Sequence, residues 1–294
     1  MFFVTGIHRG GTTICGKIIA LSKNVKYIHE PLNYKHGLKI ADKWYKRFEN
    51  LTEINELEKL SLNFKRGNQD KSFFYRLLSY IIPSKAYLSF LKLRFASFFK
   101  LKKKILIKDP FISLNIDLLT ERNHKIIFIF RDPISFFKSI ERKSWKNLPF
   151  DSLKNIKSND LIRSYFKLLK NSKSTKLKSI LFWGIYHEIV LELYKNSKKK
   201  NILIINHFDL IKYPYQISFE MLSFFDLHPN DKTFKFILSS FFNDKKMKLK
   251  NKTHVFNRSR KDMIQSTENN LSLFKNELKI VKKTYNSLIN ETIY

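Results

Sequence analysis

Five short apolar runs, separated by stretches of helical period, constrain the fold of this chain more than any other feature. The runs predict strands at Phe2–Thr5, Val25–His29, 105–108, Lys125–Phe130 and 201–206. The fourth run is almost entirely apolar, which is typical of a parallel strand covered on both faces. Because strands and helices alternate, we predict an α/β fold of three layers, with a central parallel sheet and helices on both faces.

The stretches between the runs predict mainly helices, all within a single domain over residues 1–294. A helical insertion is expected after the second strand, at about 34–103. Its second part, 73–104, mixes aromatic and basic residues and suits either an anionic membrane surface or packing on the core. Other helices are expected at 133 to about 145, 176–195, 214–225, 231–242 and, at the C-terminus, about 267–290.

A glycine-rich segment, residues 6–13, joins the first strand to the first helix. Gly6, Gly10 and Gly11 allow a tight turn, and Thr12 and Thr13 add hydroxyl groups at the helix start. Backbone N–H groups and the helix dipole at such a turn form a site for an anion. The alternative is a strand-to-helix turn that a threonine caps.

The spacing of this segment is close to that of the Walker loop, G-x-x-x-x-G-K-S/T. Gly6 and Gly11 are correctly spaced, but Thr12 stands where the lysine is needed, and Arg9 lies inside the loop instead. An NTPase uses that lysine on the β- and γ-phosphates. The substitution argues against a nucleotide kinase or NTPase, which we keep as an alternative.

The pattern Gly6-x-x-Arg9-x-Gly11-Thr12-Thr13 resembles the 5′-phosphosulfate loop of the sulfotransferase family. The resemblance implies a P-loop-like fold and sulfate transfer from 3′-phosphoadenosine 5′-phosphosulfate (PAPS), with 3′,5′-adenosine bisphosphate as product and without a metal. Arg9 would then stabilise the bridging oxygen. The loop backbone, Thr12 and Thr13 would hold the 5′-phosphate, and His8 would touch donor or acceptor.

A second pair of residues resembles the 3′-phosphate site of the same family. Arg131 ends the fourth predicted strand, and Ser139 follows eight residues later on the next helix. The planar fork of arginine suits phosphate because it can contact two oxygens at once. The alternative for Arg131 alone is an exposed arginine at a helix start.

The candidates for proton transfer lie at the ends of other strands. The segment Tyr27-Ile28-His29-Glu30-Pro31 resembles one in carbohydrate and bacterial sulfotransferases, which implies Glu30 as base and a sugar hydroxyl, on a polysaccharide or glycolipid, as acceptor. Protein tyrosine, small phenols and amines are the alternative acceptors. Lys108 would orient sulfate oxygens, and His207 is the second candidate for the base. Alternatively, Glu30 pairs with Lys108.

The basic and aromatic stretch 250–261 has a position at which family members often close a loop over the donor. Arg258, Arg260 or Lys261 would then reach a phosphate. A solvated basic loop is the alternative.

The charge balance is strongly positive, with 56 Lys and Arg against 25 Asp and Glu, a formal net charge of +31. Such a field attracts many anions, so a non-catalytic module that binds nucleic acid or membrane is a further alternative. It would not explain the two phosphate motifs, and we expect no specific nucleic acid.

The lone Cys15 permits no intrachain disulfide, and neither a leader peptide nor a membrane span is recognisable. We therefore expect a cytoplasmic protein, with the inner face of the membrane as the alternative location.

Overall fold

The computed structural model describes residues 1–62, 104–143, 147–154, 156, 159–242, 260–273 and 275–292. All five predicted strands are present, within one residue of the predicted bounds: β1 (Phe2–Thr5), β2 (Val25–His29), β3 (Lys104–Lys108), β4 (Lys125–Phe130) and β5 (Ile202–Asn206).

The described residues form these α-helices: α1 (Thr12–Ala20), α2 (Leu51–Leu62), α3 (Ile116–Glu121), α4 (Pro133–Glu141), α5 (Asp160–Asn171), α6 (Thr175–Lys195), α7 (His207–Lys212), α8 (Pro214–Phe224), α9 (Asp231–Ile237), α10 (Arg260–Leu273) and α11 (Lys275–Asn290). A π-helical turn, Leu238–Phe242, extends α9. Short 3₁₀ turns lie at Ser113–Asn115, Phe150–Ser152 and Lys199–Asn201.

The strands pair in parallel in the order β2-β3-β1-β4-β5, so β1 lies at the centre. His29 and Val4 both stand opposite Lys108, and Phe130 stands opposite Asn206. The chain crosses from one side of β1 to the other between β3 and β4. Such a switch point, at the carboxyl ends of the strands, is where ligands bind in sheets of this kind.

Each face of the sheet is covered by its own hydrophobic core, which confirms the three-layer α/β fold. Along β1, Phe3 packs into one core and Val4 into the other, because successive side chains of a strand point to opposite faces. The first core includes residues of α2 to α6 and α11, and the second includes residues of α1 and α7 to α10.

Helix α6 is buried around most of its circumference because it packs against α4, α5 and α11 at once. Trp183, fully buried on α6, donates its ring N–H to the carbonyl oxygen of Arg131, at 2.7 Å. The core therefore fixes the backbone immediately after β4.

Several helix predictions need correction. Residues 34–50 form turns rather than helix. Their backbone bonds do not form a helical ladder, since Leu38 N donates to Pro31 O at 2.6 Å and so closes a loop wider than a helical turn. The expected C-terminal helix is two helices, α10 and α11, and α3, α5 and α7 were not predicted. Helix α2 lies within the expected insertion, whereas residues 63–103, with most of the basic aromatic part, and Trp145 lie outside the described residues.

Within the described part of the chain, no helix combines the length and the apolar character that a membrane crossing requires.

Candidate active site

The glycine loop, which we define as residues 6–11, connects β1 to α1 at the centre of the sheet edge. Three of its residues have left-handed backbone angles: Gly6 (φ 148°), Arg9 (φ 66°) and Gly11 (φ 107°). A Cβ on Gly6 would lie 2.0 Å from the carbonyl oxygen of Ile129, and one on Gly11 would lie 2.3 Å from Cδ2 of His207. Both positions therefore require glycine.

The start of α1 lacks the side-chain cap that several other described helices have. Its N-cap is Gly11, and no acidic residue lies in the first turn. By contrast, α4, α5, α6 and α9 are each capped by their own side chain, respectively Asp132, Asn159, Ser174 and Asn230. The N-terminal N–H groups and the dipole of α1 thus remain suited to an anion, beside buried Thr12 and half-buried Thr13.

Arg9 and Ser139, which come from the two predicted phosphate motifs, are hydrogen-bonded to each other. Arg9 Nε donates to Ser139 Oγ at 3.1 Å, and Ser139 is buried on α4. A guanidinium group has five N–H donors, and this bond uses one of them. The fold therefore brings the glycine loop and the last turn of α4 together.

A further cation, Arg142, lies near Arg9 and was not among the predicted site residues. Burial and, next, the charge of Arg142 lower the pKa of Arg9, whereas Glu30 raises it. Arg142 stands three residues after Ser139, a spacing that shares one helix face and could have indicated it. Two neighbouring arginines favour an anion between them.

His207 connects Arg131 with the glycine loop. Its ring lies against Gly11, and only 4% of the residue is exposed. Burial and then the Arg131 cation lower the pKa of His207 well below its ordinary value, so the ring is neutral at pH 7. Arg131 itself is half-buried after β4, immediately before the cap residue Asp132, which accepts a bond from Ser135 N at 2.7 Å.

Glu30 forms the ion pair with Lys108 that the sequence had left open. Lys108 Nζ lies 2.5 Å from Glu30 Oε1, and Lys108 is 1% exposed. Asn33 Nδ2 donates to Glu30 Oε2 at 2.9 Å, and His29 Nε2 lies 3.6 Å from Oε1. β2 ends at His29 and Glu30 has a left-handed backbone (φ 50°), so the alternation of a strand does not separate these two side chains.

Asp109, which was not predicted as a site residue, holds the turn that carries Glu30. Its carboxylate accepts the N–H of Leu32 at 2.5 Å and that of Phe111 at 2.8 Å. Asp109 is fully buried, and burial together with the nearby Glu30 charge raises its pKa to about 7.

The raised pKa of Asp109 predicts a pH-dependent stability. The unfolded chain releases this proton near pH 4 and the folded protein near pH 7, so the contribution of Asp109 to stability falls as pH rises between these values. At about 1.4 kcal/mol per pKa unit, the free energy of unfolding relative to Asp109→Asn should fall by up to about 4 kcal/mol. Urea unfolding of both proteins from pH 4 to 7.5 measures this, and parallel pH curves would contradict it.

The remaining predicted residues occupy varied places. Gly10 donates its N–H to Ile7 O at 2.9 Å, which closes a turn within the glycine loop. His8, which belongs to the same loop, is buried. Arg260 donates to the carbonyl groups of Ile211 and Lys212, at 2.9 and 2.6 Å, and so caps the end of α7. Lys261 is exposed on α10, whereas Arg258 lies outside the described residues.

Among the described residues, no cluster of three or more His, Cys, Asp or Glu side chains could hold a metal ion.

Comparisons with known proteins give one family and several distant structures. The family model of the sulfotransferase domain matches residues 1–279. The sulfotransferase domain from the curacin biosynthetic pathway is 14% identical, with a TM-score of 0.43 over 79% of this chain and 76% of that one. A sulfotransferase from Mycobacterium avium is 12% identical, with a TM-score of 0.43 over 95% and 76%. A comparison with curated protein sequences gives no match.

Proposed function

This chain belongs to the sulfotransferase family, and on that basis we propose that it transfers a sulfuryl group from PAPS to an acceptor hydroxyl. The observation that carries the proposal is the hydrogen bond between Arg9 and Ser139. It brings a loop suited to one phosphate next to a helix suited to another. PAPS carries one phosphate at the 3′ position of its ribose and another at the 5′ position, so it has one phosphate for each of these two sites.

On the 5′ side, the start of α1, Thr12, Thr13 and Arg9 would bind the phosphosulfate. Bound PAPS supplies a sulfur atom whose bond to the 5′-phosphate oxygen breaks as the acceptor oxygen bonds to it. Negative charge then grows on the leaving phosphate, and fixed N–H donors and a cation stabilise it without reorganising. Arg9 is suited to this role because it is partly buried and held by Ser139.

On the 3′ side, Arg131 and Ser139 would bind the phosphate that identifies the donor. The Trp183 bond fixes the backbone of Arg131, and Asp132 fixes the start of α4. Arg142 would add a third cation to this anion site. His207 lies against Gly11, and because burial and the Arg131 cation keep its ring neutral, it adds no charge there.

On the acceptor side, Glu30 is our choice for the base that takes the hydroxyl proton. Its side chain retains 16% exposure, whereas His207 is packed against the glycine loop. Lys108 Nζ forms an ion pair with the Glu30 carboxylate and would orient the sulfate oxygens of the donor. Asn33 and Asp109 hold Glu30 and its turn in place.

The acceptor itself is proposed to be a sugar hydroxyl on a polysaccharide or glycolipid. Tyr34, 47% exposed, lies four residues after Glu30 and packs edge-on against half-buried Trp44, at 5.9 Å between ring centroids. Exposed lysines surround the pair in sequence, at Lys35, Lys39 and Lys43. Exposed aromatic faces beside polar groups suit a ligand with apolar ring faces and hydroxyl edges.

Replacing Arg131 with alanine tests the 3′-phosphate assignment. We expect the affinity for 3′,5′-adenosine bisphosphate to fall about 10- to 100-fold, because a charged hydrogen-bond partner of the phosphate is lost. Isothermal titration calorimetry measures the change. Arg122→Ala is the matched control, because Arg122 pairs with Glu58 on α2 and lies before β4, at the opposite end of the sheet. Equal affinities for the two variants would remove Arg131 from the site.

A further inference from the structure

The phenol group of Tyr45 contacts one residue of the glycine loop twice. The backbone N–H of His8 donates to the Tyr45 hydroxyl at 3.0 Å, and Nδ1 of the His8 ring is hydrogen-bonded to the same hydroxyl. The two residues are 37 positions apart, and His8 immediately precedes Arg9. A single side chain from the segment after β2 thus holds both the backbone and the ring of a loop residue.

The Tyr45 hydroxyl accepts the backbone N–H of His8 and shares a second hydrogen bond with Nδ1 of the ring. Burial and, next, the Arg9 cation lower the pKa of His8 to about 3, which keeps the ring neutral. Burial also raises the pKa of Tyr45 well above its ordinary value, so the phenol keeps its proton.

Tyr45 is itself rigidly placed. It is fully buried, its backbone is left-handed (φ 53°), and its ring packs against Phe111 and Tyr186, with centroids 5.3 and 5.2 Å away. The segment that carries Tyr45 begins at Glu30. The segment that begins with Glu30, on the proposed acceptor side, therefore also contacts the glycine loop, on the proposed donor side.

The glycine loop needs such support from outside. Left-handed backbone at a residue other than glycine, as at Arg9, is strained and persists only where the surroundings hold it. Within the loop, the bond from Gly10 N to Ile7 O closes a turn but does not involve His8.

We propose that Tyr45 is a positioning residue, which fixes His8 and thereby holds the neighbouring Arg9 in the geometry that binds the sulfate donor. The inference rests on the proposed function for the identity of the donor. Tyr45 itself does not contact the donor in this proposal. A positioning role requires the hydroxyl, whereas core packing requires only the ring, so removing the hydroxyl distinguishes the two roles.

Two tyrosine-to-phenylalanine variants separate positioning from packing. Tyr45→Phe removes the hydroxyl that binds His8, and Tyr186→Phe removes an equally buried hydroxyl that donates to Ser113 Oγ. We expect Tyr45→Phe to weaken the binding of 3′,5′-adenosine bisphosphate about 10-fold, because two loop groups lose their partner. Tyr186→Phe should bind as the unaltered protein does. Equal affinities in both variants would overturn the inference.

Amide hydrogen exchange of the ligand-free proteins tests the same inference without the donor. We expect the His8 and Arg9 amides to exchange at least 10-fold faster in Tyr45→Phe than in Tyr186→Phe. Equal exchange in the two variants would overturn the positioning role. If the unaltered protein binds no bisphosphate while exchange still rises in Tyr45→Phe, the PAPS proposal fails and the anchoring of the loop by Tyr45 stands.

Discussion

Replacing Arg9 with alanine is expected to lower the rate of sulfuryl transfer by about 10²- to 10³-fold, the usual effect of removing one donor that stabilises charge in the transition state. Arg9 is the cation of the glycine loop. It donates a hydrogen bond to Ser139, and the charge of Arg142 lies nearby. The loss should appear mainly in kcat, because the charge on the leaving oxygen grows during the reaction. Transfer of labelled sulfate from PAPS in single-turnover experiments measures it.

Two further variants show whether the charge or the hydrogen bond of Arg9 matters. Ser139→Ala removes the partner of Arg9 Nε but keeps the guanidinium group, so kcat should fall less than in Arg9→Ala. Arg9→Lys keeps the charge without the planar fork, and we expect it to retain more activity than alanine. If Arg9→Ala and the unaltered protein transferred sulfate at equal rates, Arg9 would have no role in the chemical step.

Glu30→Gln is expected to slow transfer by about 10²- to 10⁴-fold while leaving bisphosphate binding unchanged, because an amide cannot accept the hydroxyl proton at neutral pH. The carboxylate lies 2.5 Å from Lys108 Nζ at the end of β2, on the side of the sheet edge away from Arg131. Single-turnover kinetics measure the rate, and calorimetry measures the binding.

The ion pair makes a control for Glu30→Gln necessary, because the variant leaves the buried Lys108 cation beside a neutral partner, which destabilises a protein. Glu58→Gln is a matched control. It removes the same charge and a 2.5 Å contact, that of Glu58 with His124, at the other end of the sheet. Glu58→Gln should transfer sulfate normally, and urea unfolding of both variants measures the stability that each one loses. An equal loss of activity in both variants would show that Glu30 acts through stability alone.

The strands and the glycine loop could be predicted because their signals are local. Each strand is an apolar run that needs no distant partner to be recognised, and Gly6 and Gly11 mark backbone angles that other residues rarely adopt. Residues 34–50 are predicted as helix because their pattern of apolar residues has a helical period. Local turns decide their structure instead, around Asn33 and Gly37.

Which site residues pair depends on the order of the strands in the sheet, and local sequence patterns do not reveal that order. Glu30 and Lys108 both end strands, but they meet only because β2 and β3 are neighbours in the sheet. The same holds for Tyr45 and His8, which are remote in sequence. Asp109 follows a predicted strand, yet its role in holding Leu32 depends on the left-handed turn at Glu30.

The central claim is that the paired phosphate motifs bind a bisphosphorylated adenosine, and nucleotide preference tests it most directly. Isothermal titration calorimetry of the full chain compares 3′,5′-adenosine bisphosphate with ATP and Mg²⁺. We predict that the bisphosphate binds at least about 100-fold more tightly, a difference of about 2.7 kcal/mol, because only it presents a 3′-phosphate to Arg131 and Ser139. Equal affinities, or a preference for ATP and Mg²⁺, would contradict the account.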